Sequence, residues 1–342
     1  MPKVSVISPV YNVEPYIGEF LESMKNQTFQ DFELILVYDG STDKTLDKMT
    51  SFINSNSLET KYKVIENKIK KGVGFARDLG FKESNESSEY VIFLDPDDYV
   101  DKTFLEKLVS TSEEYDSDVT ICGYKRFDDK TKATICEEMI NNPKDLVTID
   151  NPKIPLAFVN SSSWNKLYKR EVLKDAIFGE ALYAEDLYHF LMALKNIKTI
   201  KFINEPLYFY RIREGSLINT ISKKKFESAK ECLLRLYKEQ DNVFLKKVYC
   251  SFVFVRIGVG STLRLIQSGE KSRVACKTTK QYLKEFLIFK KNELLSLKAL
   301  TKGGKKGFAM WIVKIAYKIG FVSMLMSIYT KRLRKTQKEI RW

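Results

Sequence analysis

Four short apolar runs alternate with segments of helical spacing over the first hundred residues. Val4 to Val10 (VSVISPV), Phe32 to Val37 (FELILV), Tyr62 to Ile65 and Tyr90 to Leu94 are rich in β-branched and aromatic residues. Val91 to Leu94 has no polar face at all, the pattern of a strand buried on both sides. Between these runs Ile17, Phe20, Leu21 and Met24 recur at helical spacing. Ser41 or Thr42 can cap a helix through Leu46 and Met49, and Gly72 to Gly80 reads as a turn entering another. The alternation predicts an α/β fold: a Rossmann-like, mainly parallel sheet flanked by helices, whose ligands gather beyond the carboxyl ends of the strands.

Farther along, Phe104 to Ser112 is expected to be a helix and Val119 to Tyr124 a strand. Lys125 to Asp150 has mixed polarity and defines no element. Trp164 to Arg170 mixes aromatic and polar groups, and Leu187, Phe190, Leu191 and Leu194 form a helical stripe preceded by Glu185 and Asp186. Tyr208 to Arg213 reads as an aromatic and basic strand. From Lys223 to Leu300, Lys, Leu and aromatic residues predict several helices, so the expected division is 1–222 for the α/β part and 223–342 for a helical part.

Charge sharpens that division. Met1 to Ser222 holds 28 basic and 36 acidic side chains, whereas Lys223 to Trp342 holds 29 and 8. An acidic part joined to a strongly basic one points to an anionic partner for the latter. Nucleic acid is not expected, because the basic part carries no recognisable nucleic-acid motif. A non-catalytic polyanion binder on a nucleotide-binding fold is the rival reading, with metal-dependent donor hydrolysis as the discriminating observation. The five cysteines, at 122, 136, 232, 250 and 276, form no CxxC pair, and the opening MPKVSVISPVYN has no long apolar core. A reducing, cytoplasmic setting without a signal peptide is therefore expected.

The candidate chemistry lies at strand ends. Asp95, Asp97 and Asp98 follow Val91 to Leu94 within four positions, and carboxylates so close call for a hard divalent cation. Asp39 ends the second strand, with Gly40 permitting a tight turn. Gly72-Val73-Gly74 is not a dinucleotide fingerprint, since Arg77 stands where its last glycine would be.

Seven segments in order, SVISPVYNVEPYI, YDGSTD, GVGFARDLG, FLDPDDYV, WNKLYKR, AEDLYHF and YFYRIREGS, resemble the family 2 inverting glycosyltransferases of bacteria, whose nucleotide-binding domain has the GT-A fold. The resemblance spans roughly residues 3 to 217. It implies a metal-dependent transfer of sugar from a nucleotide donor, a UDP-sugar, to a surface glycan, a lipid-linked saccharide or a wall polymer; protein side chains are an alternative acceptor. By the same resemblance Pro9, Tyr11 and Asn12 line the base and ribose pocket, Glu14 is a further donor-binding residue, and Asp39 contacts the nucleobase. Asp95 and Asp97 are similar to the pair that holds Mn2+ or Mg2+, with Asp95 also near the ribose or sugar. Arg77 lies near the donor, and Arg211, Arg213 and Ser216 match a segment over the diphosphate. Asp186 is similar to the catalytic base, while Trp164, Asn165, Lys166 and Glu185 are candidates on the acceptor side. Tyr38 departs from the family pattern, where many relatives have a second Asp. His189, one turn beyond Asp186, is expected to be a packed or solvated helix residue.

Met310 to Tyr329 is the most apolar stretch, yet Lys314 and Lys318 fall inside it. Each would cost about 2.5 to 3.5 kcal/mol near a bilayer centre, which argues against a span. A single helix lying at the inner face of an anionic membrane is expected, or a helix docked on protein or on a second copy in a homo-oligomer.

Overall fold

The computed structural model describes residues 1–67, 69–138, 146–150, 152, 154–179, 183–213, 223–286, 288, 290 and 292–335. They fall into two compact units, Met1–Ile149 with Ser161–Glu214, and Asp150–Asn160 with Gly215–Trp342.

The first unit opens with β1 (Val4–Val10), α1 (Ile17–Lys25), β2 (Phe32–Asp39), α2 (Thr45–Ser55), β3 (Tyr62–Asn67), α3 (Val73–Lys82) and β4 (Tyr90–Phe93). The expected strands and helices are all present. The chain then forms β5 (Tyr99–Val100), α4 (Phe104–Tyr115), β6 (Val119–Asp128), β7 (Thr134–Glu138), β8 (Val147–Thr148), β9 (Lys166–Lys169), α5 (Glu185–Ala193) and β10 (Thr199–Ile212). These strands make one sheet in the order β3-β2-β1-β4-β9-β6-β10-β5, with β7 on β6 and β8 on β10. β3, β2, β1 and β4 are parallel, as are β6 and β10; β9 runs antiparallel between β4 and β6.

The order places a crossover where it matters. The chain builds outward from β1 to β3, then returns through α3 to lay β4 on the other side of β1, and ligands of such sheets bind at this reversal. Register sets the details. Val10 pairs with Tyr38 and Asp39 with Asn67, so Asn12, Asp39 and Asn67 leave the sheet at neighbouring points. α3 crosses β1 and β2 closely: a Cβ on Gly80 would lie 2.4 Å from Ile7 Cγ2 and 3.1 Å from Val37 Cγ2. Val6, Leu34, Leu36, Ile92 and Phe104 lie within one apolar core cluster.

The second unit is helical, as the sequence predicts: α6 (Lys223–Glu239), α7 (Val243–Val253), α8 (Thr262–Gln267), α9 (Ser272–Glu285), α10 (Leu297–Thr301), α11 (Gly304–Ile319) and α12 (Val322–Lys335). A π-helical stretch, Phe254–Ser261, joins α7 to α8, and its Gly258 carbonyl accepts bonds from Tyr317 Oη at 2.7 Å and Thr262 Oγ1 at 2.6 Å. The expected single helix over Met310–Tyr329 is broken. Gly320, at φ +91°, ends α11 in the left-handed region, and the chain restarts as α12. No described helix is long and apolar enough to cross a membrane.

Candidate active site

α3 assembles the site from one face. Its Asp78 accepts the Phe178 and Gly179 amides at 2.8 and 3.2 Å, while Gly74 leaves room for the Gly179 carbonyl, which a Cβ there would meet at 2.7 Å. This draws the segment before α5 against α3. Ala184 then adopts φ +61°, a left-handed conformation rare outside glycine, asparagine and aspartate, and α5 starts directly with Glu185 and Asp186.

Between these elements lies Arg77. Its side chain is 3% exposed, stacks over the Phe178 ring at 4.9 Å, and donates from Nη2 to Asp95 Oδ1 at 2.7 Å and from Nη1 to Asp186 Oδ1 at 2.8 Å. Glu185 Oε1 is 3.5 Å from Nη1. Burial works against the charge of the guanidinium, and the three carboxylates outweigh it. Burial, with Asp97 and Asp186 nearby, raises Asp95 above the usual carboxylate range against the pull of Arg77. Burial and Asp186 raise Glu185 likewise. Sequence reasoning missed Ser163, whose buried Oγ donates to Asp186 Oδ1 at 2.9 Å. Two donors therefore fix Oδ1 of Asp186.

At the end of β4, ligand-capable oxygens of Asp95, Asp97 and Asp98 lie within 4.8 Å of one another. An all-oxygen, carboxylate set suits Mg2+ or Mn2+. The three are not equivalent. Asp98 is buried and already accepts from Tyr208 Oη at 2.6 Å and the Arg211 amide at 2.7 Å; burial, then Asp97 and Asp95, push it well above its usual range. Asp95 and Asp97 are part-exposed and each keeps an oxygen apart from its arginine, so the residues present fit a cation held by those two.

The other expected residues take varied places. Asn12, at φ +48°, accepts the Thr42 amide at 2.8 Å, and Tyr11 lies under Lys70 Nζ at 3.5 Å. Glu14 accepts the Lys44 amide at 3.1 Å, and Pro9 lies within β1. Asp39 is buried and holds its own neighbours: Asn67 Nδ2 at 2.7 Å, the Lys71 amide at 2.9 Å and the Gly72 amide at 2.7 Å. Arg213 pairs with Asp97 Oδ2 at 2.8 Å. Arg211 is fully committed inside the fold, to the Asp97 carbonyl and Asp129 at 2.7 Å each and to Glu19. Ser216 lies outside the described residues.

The acceptor-side candidates divide. Glu185 reaches the site, whereas Trp164 is stacked on Tyr208 at 4.3 Å and Asn165 and Lys166 are completely buried. Lys166 Nζ donates to the Ser162 carbonyl at 2.5 Å and to Asn165 Oδ1 at 2.9 Å. These three residues are packed inside the fold rather than presented at its surface. His189 is packed flat on Phe178 at 3.9 Å and edge-on to Phe93, and burial, then Arg77 and Lys166, push its imidazole down to about 3. It is a neutral packing ring.

The acidic site lies at the crossover of an α/β sheet, with carboxylates on two opposing elements, and the fold is of the GT-A class. The chain belongs to glycosyl transferase family 2, whose model matches residues 5–177. It is 31% identical over 257 residues to the putative glycosyltransferase EpsH of Bacillus subtilis, covering 72% of this chain and 70% of that protein. It is 33% identical over 221 residues to the poly(ribitol-phosphate) beta-N-acetylglucosaminyltransferase TarS of Staphylococcus aureus, covering 63% of this chain and 36% of that one. In fold it is similar to the crystal structure of S. aureus TarS residues 1–349 with UDP-GlcNAc, at TM-score 0.67 and 21% identity over 99% of this chain and 93% of that. A mannosyltransferase from Pyrobaculum calidifontis with GDP-Man and Mn2+ gives 0.54 and 14%, over 99% and 88%.

Proposed function

We propose that the chain transfers a sugar from a UDP-sugar to a hydroxyl of a bacterial cell-surface glycan or wall polymer, with inversion at the anomeric carbon. The observation that carries this reading is the Arg77 bridge, which holds Asp186 at the start of α5 opposite Asp95 at the end of β4. The relation to TarS, whose name specifies transfer to poly(ribitol phosphate), supports a wall-polymer or other surface-glycan acceptor.

The nucleobase lies against Pro9, Tyr11 and Asn12, with Asp39 fixing the edge of that pocket through the Lys71 and Gly72 amides. Asp97 and Asp95 would hold a divalent cation, Mn2+ or Mg2+, which would supply positive charge against the departing diphosphate. Asp186 takes the acceptor hydroxyl's proton on Oδ2 as the hydroxyl oxygen attacks the anomeric carbon. The bond from that carbon to the diphosphate oxygen breaks with both electrons leaving on the diphosphate, so one displacement inverts the centre. Arg77 and Ser163 keep Asp186 aimed throughout. The setting proposed is the inner face of the cell membrane, where a soluble donor meets a membrane-borne acceptor.

The experiment is a screen of UDP-sugars for Mn2+-dependent hydrolysis and transfer by the intact chain and by Asp186→Asn, with the product anomer read by NMR. Transfer should fall by roughly 100- to 10,000-fold in the variant with UDP affinity retained. Wild-type transfer by Asp186→Asn, or a retained anomer, would overturn the assignment.

A further inference from the structure

The break at Gly320 turns the most apolar part of the chain into a two-helix surface. α11 buries Gly307, Met310, Val313, Ala316 and Tyr317. It is pinned there, since a Cβ on Gly307 would come within 1.6 Å of the Leu300 carbonyl oxygen. Its other side leaves Phe308, Ile312 and Ile319 exposed at 48%, 39% and 61%, a stripe at helical spacing. Past the break, α12 buries Val322, Met326 and Thr330, while Phe321 just before it and Met324 and Ile328 within it are exposed at 59%, 57% and 59%. Scattered exposed apolar residues need no explanation, but six large ones on two consecutive helices and the turn between them do.

The surrounding charge says what covers them. From Glu293 to Glu339 the chain has eleven lysines and arginines and no carboxylate between those two. Lys305, Lys306, Lys318, Lys331 and Arg332 are exposed along the pair. Lys314, by contrast, is half-buried and donates to the Leu295 carbonyl at 3.0 Å, so it belongs to the protein side. A second copy on this face would set cations against cations. A surface that is apolar below and anionic at its boundary matches both features, and neither helix can span it.

We propose that the α11–α12 pair docks in the plane of an anionic lipid bilayer, with Phe308, Ile312, Ile319, Phe321, Met324 and Ile328 entering the headgroup boundary and the flanking cations meeting lipid phosphates. This docking face rests on the placement of the enzyme at a membrane-borne acceptor. The test is co-sedimentation of the full chain with vesicles of phosphatidylcholine alone or mixed with phosphatidylglycerol, at low and high salt. The double variant Ile319→Asn with Phe321→Asn is run beside it; both positions are exposed, and its thermal melt should match wild type. The full chain should pellet with the anionic vesicles, more weakly at high salt, and the variant should bind at least about tenfold more weakly. Absence of binding by the full chain, equal binding to both vesicle types, or undiminished binding by the variant would each overturn the proposal. A concentration-dependent dimer that the variant dissolves would do the same and assign the face to a second copy. UDP-sugar hydrolysis without vesicles, which α11 and α12 do not supply, separates a failure of docking from a failure of the enzymatic reading.

Discussion

Replacing Arg77 with methionine removes one cation from among three carboxylates while keeping a long apolar stem against Phe178. Breaking a buried ion pair by deleting one partner costs about 3–5 kcal/mol. Asp95, Glu185 and Asp186 remain about a fifth to a quarter exposed, so water shares the burden and the lower end, about 3 kcal/mol, is expected. The deficit should depend on pH. Asp95 and Glu185 already titrate above their ordinary values in the fold, and loss of Arg77 raises them further. A carboxyl whose pKa is higher folded than unfolded costs stability wherever the folded state must ionise. Arg77→Met should therefore match wild type most closely in acid, where these groups are protonated in both proteins. Its deficit should open as pH rises through the wild-type folded values and be complete above those of the variant. Urea denaturation at about pH 5 and about pH 8 measures this directly. A deficit that is the same at both pH values would refute the electrostatic account and leave Arg77 a packing residue.

Asp97→Asn should leave the melting temperature nearly unchanged and weaken the Mn2+-dependent part of UDP binding by at least about tenfold, as read by calorimetric titration with and without metal. At Asp98, alanine would strand the Tyr208 hydroxyl and the Arg211 amide, at about 1–3 kcal/mol each, whereas asparagine can accept from the amide and donate to the rotated hydroxyl. Denaturation should place Asp98→Ala well below wild type and Asp98→Asn close to it, with asparagine gaining ground as pH rises because it never ionises. Gly80→Ala should destabilise by about 1–3 kcal/mol despite the better helix former, since its methyl would overlap Ile7; an unchanged melt would mean that α3 lifts freely from the sheet.

What could be read from the sequence follows from where burial is two-sided. Val91 to Leu94 and its neighbours form continuous apolar runs because helices cover both faces of the sheet, so the strands, their order along the chain and the acidic residues at their ends were all legible. β9 was not. Its sequence KLYK looks like a surface segment, yet Lys166 is fully buried because Ser162 and Asn165 supply oxygens from the adjoining chain. Periodicity does not register such local pairing. Asp98 reads as a member of an acidic turn, and it is distinguished from Asp97 only when β10 arrives to cap it. Ser163 carried no signal of its own: a serine within SSSW gains meaning only from the distant Asp186. The Gly320 break was visible as a residue, and the apolar content on either side concealed it.

The arginines at the end of β10 give the site a schedule. Arg211 and Arg213 join residues 114 and 116 positions earlier, and Arg77 waits 109 positions for Asp186. At about 5–20 residues per second of synthesis, the acidic turn stands outside the ribosome for on the order of ten seconds before any of these ties can form. During that interval the nascent sheet can pair β1 with β2 and β4 and β2 with β3, while Asp95 already has Arg77. Every fragment that stops short of residue 213 is thus a half-built sheet with an open acidic mouth. Translation past β10 is what turns the carboxylates from a liability into a site.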